Sequence, residues 1–366
     1  MNICYISNSA SPSKNASSLQ IAKLCEYISK QKHNVKLILP KTGDKKNFNK
    51  FYKIKYKYKL VRLKAFKTFP IGINYYLYSI FAIIKSDYKK QDLFLTRNFF
   101  TSFILSLLCK KHILEIHDDI KIESRIVQLL VKYFKILNYN FLIKIITTTQ
   151  SLKKRYRDYG VIEKKIQVLH NASSLKSQFN PYSKKKNLNI GYFGSIFHSR
   201  GIEMIQKLSV LDKKNDYYIF GGTKKEIDKI KHKARNKNLF FSPHIPYSKV
   251  NIEIKNIDVC ILPYTSKITV AGNVGDISKF TSPLKLFDYM KLGKLIISSN
   301  LPVLREVLVD KENSLLVNRF NDEKEWYKKI SLVSKNFKKY TTIRNNAFNY
   351  AKKFDLNWRV KKLLSF

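Results

Sequence analysis

The sequence predicts an α/β protein built from two successive parallel-sheet domains, and three observations support this. Short apolar runs alternate with helical patterns along the whole chain, as in sheets whose parallel strands are joined by helices. A polar, lysine-rich break interrupts the pattern at 177–187, and the alternation restarts beyond it. The length of 366 residues also suits two domains better than one. We therefore expect domains over 1–180 and 188–340, followed by a helical region over 341–366.

Apolar runs in the first half predict seven strands, most of them separated by helices such as 17–31 and 152–159. Within 51–59, aromatic and lysine residues alternate strictly, which predicts a strand with one buried face and one cationic face. Interleaved bases and aromatics could also bind nucleic acid, but the period of two already explains the pattern. The predicted strands are 2–7, 34–39, 54–63, 93–96, 113–116, 145–148 and 166–169.

The second half repeats this architecture without repeating the sequence. One of its predicted strands ends in Gly194, and another is followed directly by Gly221. Residues 350–366 predict a basic helix with Trp358 on its apolar face. The predicted strands are 188–194, 217–220, 259–262, 295–298 and 314–317.

Composition narrows the classes of function. The formal net charge is +44, which is typical of a nucleic-acid-binding protein. Against it, 59 of the 70 basic residues are lysines spread along the chain, and arginine, the better residue for base and phosphate contact, numbers only 11. Part of the charge is therefore solvated surface, and the rest suits an anionic membrane surface or acidic substrates. We expect no nucleic-acid partner.

The four cysteines stand apart, which argues against structural zinc and against a disulfide framework. The N-terminus, 1–7, predicts a first strand rather than a signal peptide, so a reducing cytoplasm is the simplest location. Two long apolar stretches, 68–84 and 126–143, are too short or too interrupted to span a bilayer. Both predict helices lying on something apolar, either the protein core or a membrane interface.

The stretch 282–294 predicts a site for a phosphorylated ligand. Pro283 suits the first turn of a helix, Ser282 can cap it, and Gly293 ends it before a buried strand. A helix N-terminus is an anion site, and Lys285 lies in this first turn. Asp288, one turn further on, can accept both hydroxyls of a ribose. The alternative is an ordinary capped helix of the core.

Other strand ends offer further candidates, because ligands of such sheets bind at the carboxyl ends of the strands. Gly194 lets backbone approach a phosphate and Arg200 can neutralise it, although a plain turn with a surface arginine fits too. His117 ends a strand of the first half, where it could orient a hydroxyl or stabilise developing charge, or be merely structural. On the acceptor side, the loop after the first strand presents Ser11, Lys14 and Asn15.

Taken together, these features resemble the GT-B glycosyltransferases, in particular retaining family 4 (group 1). The resemblance rests on five pieces in the family's order, among them a C-terminal pattern ending in Trp358. These pieces are 145–153, 166–171, 191–201, 282–293 and 354–358. It implies two Rossmann-like domains facing a cleft, with the region 341–366 crossing back to the first domain. It also implies a nucleotide-sugar donor held by the second domain, an acceptor held by the first, and no obligatory metal or other cofactor.

Residue by residue, the resemblance places Arg200 at the donor diphosphate and Asp288 on the ribose. It places His117 near the reacting centre. Ser195 stands where the family often has an arginine, and Phe280 replaces the first glutamate of the family's motif. Sugar contacts would then come from the loop 275–279 or from amides near Thr281.

The predicted function is a glycosyltransferase that moves a hexose to a glycan or lipid-linked acceptor in bacterial surface polysaccharide or lipooligosaccharide synthesis. The resemblance implies that the transfer retains the anomeric configuration. Such an enzyme would work in the cytoplasm, at the inner face of the cell membrane. Two alternatives are a nucleic-acid-binding protein and a non-catalytic GT-B partner subunit, the latter suggested by Phe280 and by Ala172 in place of the usual glycine.

Overall fold

The computed structural model describes residues 1–41, 47–64, 71–179, 187–231, 236–269 and 276–365. The chain divides into two compact units. The first consists of Met1–His170 together with Leu356–Phe366, and the second of Asn171–Asp355. Each unit contains one parallel sheet, as the sequence predicts.

The first unit has a sheet of seven described strands in the order β3-β2-β1-β4-β5-β6-β7, all parallel. The strand order reverses between β1 and β4, which is where sheets of this type bind ligands beyond their carboxyl ends. The strands are β1 (Asn2–Ile6), β2 (Asn34–Pro40), β3 (Lys59–Leu63), β4 (Leu93–Thr96), β5 (His112–Ile116), β6 (Leu142–Thr147) and β7 (Ile166–Val168). The helices are α1 (Ala16–Lys30), α2 (Phe48–Tyr52), α3 (Ile71–Lys85), α4 (Phe99–Leu107), α5 (Arg125–Lys132) and α6 (Gln150–Asp158).

The second unit has a sheet of six described strands in the order β10-β9-β8-β11-β12-β13, again parallel. Its order reverses between β8 and β11. The strands are β8 (Asn189–Phe193), β9 (Asp216–Phe220), β10 (Leu239–Ser242), β11 (Val259–Leu262), β12 (Leu295–Ser299) and β13 (Leu315–Val317). The helices are α7 (Ile202–Leu211), α8 (Lys224–Lys231), α9 (Tyr247–Lys255), α10 (Leu284–Lys291), α11 (Glu323–Lys335) and α12 (Thr341–Tyr350).

Buried apolar runs explain why the central strands form. Every residue of β4, β5, β11 and β12 is buried, as expected for parallel strands covered by helices on both faces. Two apolar clusters fill the two sides of the second sheet, one around Phe287 and Met290 of α10 and the other around Trp326 of α11.

The unit boundaries differ from the predicted domains 1–180, 188–340 and 341–366. Residues 171–179 pack in the second unit, where the Ser173 N–H donates to the Phe354 carbonyl and that of Gln178 to the Lys291 carbonyl. Helix α12 contacts α10 and therefore also belongs to the second unit. Only the last segment, with α13 (Leu356–Leu363), joins the first. Residues 180–186 of the predicted linker lie outside the described residues.

Two predicted elements are wrong. The alternating stretch 51–59 is not a strand, because Asn47 caps α2 by accepting from the Lys50 N–H and the left-handed Lys53 (φ 49°) ends it; β3 begins only at Lys59. The helix predicted over 126–143 ends at Lys132, since Lys135 is also left-handed (φ 47°) and β6 follows.

The remaining apolar stretch, 68–84, forms α3 from Ile71 onward, and its first three residues lie outside the described residues. Among the helices that can be described, none combines the length and the apolar character that a membrane crossing requires.

Candidate functional site

Gly194 lies immediately after β8, at the point where the order of the second sheet reverses. Its φ is +142°, and a Cβ added there would lie 2.4 Å from the Lys285 Nζ. A Cβ added at Gly221 would lie 1.7 Å from the Gly194 carbonyl oxygen. The glycines predicted at two strand ends thus allow two backbone segments and a lysine to meet closely.

Lys285 lies in the first turn of α10, as predicted. Its Nζ is 3.7 Å from the centroid of the Tyr192 ring and 5.6 Å from that of the Tyr264 ring. The faces of these rings stabilise the ammonium group. Burial, and then the charge of Arg200, hold the pKa of Lys285 well below its ordinary value.

Arg200, like Lys285, lies close to the Tyr264 ring. Its Cζ is 5.5 Å from the Tyr264 ring centroid, and its Nη2 donates to the Thr269 carbonyl over 3.1 Å. Its Nε is buried without a hydrogen-bond partner among the described residues. Within the same residues, no carboxylate pairs with Arg200 or with Lys285. Arg200 is therefore a cation without a counter-charge, beside a lysine that a bound anion would keep protonated, and together the two side chains would bind an anion.

The start of α10 differs in detail from the prediction. Pro283 is the N-cap residue and not, as predicted, a residue of the first turn, and no side chain caps the helix. Ser282 does not act as the cap, because it is used by Asn171: its carbonyl accepts from the Asn171 Nδ2 over 2.5 Å and its Oγ from the Asn171 N–H over 3.4 Å. Gly293, with φ of +61°, ends the helix as expected.

Asp288 is 4% exposed and already has partners within the unit. Its Oδ1 accepts from the Ser173 hydroxyl over 2.5 Å and from the Tyr247 hydroxyl over 2.8 Å. Burial raises the pKa of Asp288 to about 6, against the opposing effects of these two hydrogen bonds and of Lys291. Asp288, the residue predicted to bind the ribose, is thus a carboxylate oriented by the Ser173 and Tyr247 hydroxyls. The sequence did not reveal these two contacts.

The first unit contains a second polar cluster at the carboxyl end of β5. The Glu115 Oε1 accepts from the Arg97 Nη2 over 3.0 Å and from the Arg359 Nη2 over 2.8 Å, and it lies 2.7 Å from the His117 Nε2. Burial opposes ionisation of Glu115, but the charges of Arg97 and Arg359 outweigh it and hold its pKa well below the ordinary value. Burial and the Arg97 charge lower the pKa of His117 to about 4.

The loop predicted on the acceptor side presents its residues unequally. Ser11 is 1% exposed, and its Oγ lies 3.2 Å from the Tyr52 hydroxyl, so its side chain is enclosed. Lys14 and Asn15 are exposed. Asn15 occupies the N-cap position of α1 but makes no capping hydrogen bond with its side chain.

Other predicted contacts have different outcomes. The Ser195 carbonyl accepts from the Tyr192 hydroxyl over 2.8 Å, which ties the loop to the ring beneath Lys285. In the loop 275–279, Gly275 lies outside the described residues, and the Asp276 Oδ1 accepts from the Ile268 and Ser278 N–H groups. The described residues include no group of three or more His, Cys, Asp or Glu side chains able to hold a metal ion.

Comparison with known families accounts for both units. The family described as "Glycosyl transferases group 1" matches residues 174–350, and that described as "Glycosyltransferase Family 4" matches residues 18–176. The chain belongs to the group 1 glycosyltransferases. No curated protein sequence matches it.

Solved structures show the same GT-B fold. HepE from Anabaena, in complex with UDP-glucose, superposes with a TM-score of 0.74 at 14% identity, covering 100% of this chain and 99% of that one. The sucrose-phosphate synthase from Thermosynechococcus elongatus gives a TM-score of 0.72 at 14% identity, covering 99% and 97%. The lipopolysaccharide outer core galactosyltransferase WaaB gives 0.69 at 12% identity, covering 99% and 98%.

Sequence reasoning selected Arg200, Lys285 and His117 as candidate site residues but missed their surroundings. Arg200 and His117 were selected from their positions after strands, and Lys285 from its position in the first turn of a helix. Tyr192 looks like an ordinary strand residue, Tyr264 lies just beyond the predicted strand 259–262, and Glu115 was not among the candidates. The sequence signal for Glu115 was a carboxylate inside a buried strand, which needs a cationic partner.

Proposed function

We propose that this group 1 glycosyltransferase moves a hexose from a nucleotide sugar to a glycan or lipid-linked acceptor, with retention, in the synthesis of a bacterial surface polysaccharide or lipooligosaccharide. The observation that carries the proposal is the pair of cations without counter-charge, Arg200 and Lys285, at the end of β8. A nucleoside diphosphate supplies the missing negative charge.

In the reaction, the acceptor hydroxyl oxygen forms a bond to the anomeric carbon while the bond from that carbon to the diphosphate oxygen breaks. Arg200 and Lys285 stabilise the charge that develops on the departing diphosphate, the task that a metal ion performs in other transferases, so the proposed enzyme works without one. The departing phosphate oxygen takes the hydroxyl proton. Asp288 accepts from the ribose hydroxyls, and His117 contacts a hydroxyl near the reacting centre.

The neighbouring structures suggest which donor to try first. HepE is described in complex with UDP, with UDP and glucose, and with UDP-glucose, and WaaB is described as a galactosyltransferase. UDP-glucose and UDP-galactose are therefore the first donor candidates for this chain.

The test compares donor binding in matched variants of the full chain, using calorimetric titration against a panel of nucleotide sugars. We expect Lys285→Met and Arg200→Met each to weaken binding of the best donor by roughly 10-fold or more, because each removes a charge-assisted contact. Lys328→Met removes an exposed lysine of α11 and should change nothing.

Three outcomes would contradict the proposal. Donor affinity unchanged in both cation variants would remove the diphosphate site. Donor binding without turnover on any acceptor would indicate a non-catalytic partner subunit. Binding of duplex or single-stranded nucleic acid that is salt-sensitive and survives Arg200→Met would favour the nucleic-acid alternative.

We further propose that the first unit docks on the anionic inner face of the cell membrane, and the support comes from α5 and its flanks. Five large apolar residues there are exposed by half or more: Ile122 by 51%, Ile126 by 53%, Leu129 by 51%, Tyr133 by 64% and Phe134 by 62%. Four exposed cations surround them, namely Lys121, Arg125, Lys132 and Lys135. Apolar side chains beside cations are the pattern of a helix lying in a membrane interface.

Helix α3 lies next to this surface and extends it. The Tyr76 hydroxyl of α3 is 2.7 Å from the Oγ of Ser124, the residue that caps α5. On α3 itself, Ile80, Phe81 and Ile84 are exposed. Docking would hold the enzyme beside a lipid-linked acceptor, as a peripheral protein of the cytoplasm.

A further inference from the structure

One oxygen of Glu115 receives three donors, and this arrangement determines the state of His117. The carboxylate is 4% exposed, and Arg97, Arg359 and His117 all direct hydrogen bonds to its Oε1. A guanidinium keeps its charge at every accessible pH, so two of the three donors hold the carboxylate ionised.

An ionised carboxylate only accepts hydrogen bonds, so the His117 Nε2 must be the atom that carries the proton. A second proton on the ring is disfavoured by burial and by the positive charges of Arg97 and Arg359, although Glu115 favours it. The remaining carboxylate nearby is Asp118, whose pKa is raised by burial against the opposing charge of Arg97. The ring is therefore neutral at pH 7.

The other ring nitrogen is left free. The Nδ1 of His117 has no hydrogen-bond partner among the residues that the structure describes, and 22% of the side chain is exposed. We infer that Glu115, held by Arg97 and Arg359, positions His117 as the Nε2–H tautomer, so that Nδ1 accepts a hydrogen bond from a hydroxyl group of the sugar or acceptor. This inference rests on the proposed function for its ligand, since it assigns His117 to a hydroxyl and not to the diphosphate, whose oxygens cannot donate.

Arg359 is the positioning residue that the chain supplies from its end. It lies on α13, and besides Glu115 its Nη1 donates to the carbonyls of Leu169 and His170, the latter over 2.6 Å. The guanidinium is thus fixed by backbone on one side and presents its Nη2 to Glu115 on the other. Arg97, which follows β4, closes the cluster from the neighbouring strand.

The test is the tautomer itself, measured on the full chain with ¹⁵N-labelled histidine by two-bond ¹H–¹⁵N correlation, with His117→Gln to assign the signal. In the wild type we expect a neutral ring protonated at Nε2 at pH 7. In Glu115→Gln the share of the Nδ1–H form should rise. In Arg359→Met the pH at which His117 becomes charged should rise, because one nearby positive charge is gone. Lys361→Met, an exposed lysine of the same helix, should change neither.

A charged ring or an Nδ1–H ring in the wild type at pH 7 would overturn the inference. So would a His117 signal unchanged in Glu115→Gln, even if that variant were less stable, because the cluster would then be only structural. If Arg359→Met does not fold, Arg359→Lys keeps the charge and should leave the pH of protonation near that of the wild type. If no donor is ever turned over but the tautomer is as expected, the proposed function fails and the positioning of His117 stands. With activity in hand, Glu115→Gln should lower kcat by about 10-fold or more with little change in donor KM.

Discussion

At the scale of single residues, the binding role proposed for Asp288 comes with a stability penalty. Its pKa is raised to about 6 by burial, so the folded chain holds this proton more tightly than the unfolded chain does. Its stabilising contribution is therefore complete below the unfolded pKa of about 4 and is lost as the pH rises through about 6. A ribose hydroxyl, by contrast, needs the ionised form as its acceptor. Stability and donor binding should consequently respond to pH in opposite directions.

Asp288→Asn separates these two effects. The asparagine oxygen can still accept from Ser173 and Tyr247 but does not ionise, so the second unit should gain on the order of 3 kcal/mol over the wild type at pH 8 and little at pH 4. Donor affinity should fall all the same. Denaturant unfolding across this pH range and donor titration at pH 8 measure both quantities. Asp228→Asn, at an exposed carboxylate of α8, is the control. If the difference in unfolding free energy between variant and wild type is no larger at pH 8 than at pH 4, the argument is wrong.

Residue-level prediction reached local features but not those that depend on packing. Lys285 and Arg200 could be selected as candidates because basic residues at strand ends and helix starts are suited to anions. The sequence could not show that Tyr192 and Tyr264 lie beneath them. Nor could it show that Ser11 is enclosed by Tyr52 or that Ser282 serves Asn171, because each of these contacts joins segments far apart in the chain.

At the scale of elements, Tyr289 connects α10 to the end of β8. Strand β8 pairs with β11 only at Ile190 and Gly191, so the buried N–H of Phe193 lies beyond the end of that ladder. The Tyr289 hydroxyl accepts from it over 2.9 Å. Helix and strand are thereby joined one residue before Gly194, where Lys285 approaches the backbone.

Tyr289→Phe should loosen this junction. The buried N–H of Phe193 loses its acceptor, which costs about 1–3 kcal/mol of unfolding free energy, and donor affinity should fall with it. Tyr217→Phe is the matched control, because it removes a buried bond to Asp212 at the opposite end of the same sheet. Thermal unfolding and donor titration should show both variants destabilised but only Tyr289→Phe impaired in binding. Equal donor affinity in the two variants would mean that the contact between Tyr289 and Phe193 does not support the proposed donor site.

Helices and strands were predictable where the residue pattern fitted only one type of secondary structure. The buried strands and α1, α6 and α10 follow from apolar runs and helix-ending residues. The stretch 51–59 shows the limit: its alternation suits a strand, but the Asn47 cap and the aromatic contacts of Phe48 with Tyr52 and Tyr58 select a short helix and a loop. Here the cap supplied by Asn47 determined the local structure, and the alternation over 51–59 did not.

At the scale of the whole molecule, the two units were predictable but their boundaries were not. The break at 177–187 is polar and lysine-rich, and so looks like a linker. Yet Ser173 already bonds to Asp288, and the chain returns to the first unit only at Leu356. Boundaries depend on contacts between distant segments, which composition does not record.

The net charge of +44 is also a property of the whole molecule, and it does not by itself select a partner. Anionic vesicles and nucleic acids should both attract the chain at low salt, and both attractions should weaken as the Debye length falls from about 14 Å at 0.05 M to about 4 Å at 0.5 M salt. The apolar face of α5 distinguishes between them, because only a membrane offers hydrocarbon to Ile126 and Leu129.

The double substitution Ile126→Gln and Leu129→Gln should therefore weaken flotation with anionic vesicles by roughly 10-fold or more. The reason is that it removes two aliphatic side chains that the membrane would bury. The ratio of wild type to variant should persist at high salt, while binding to DNA should be the same for both. Val210→Gln, at a half-exposed valine of the second unit, controls for general loss of apolar surface. If the double variant floats like the wild type, charge alone draws the enzyme to membranes and the α5 surface has another partner.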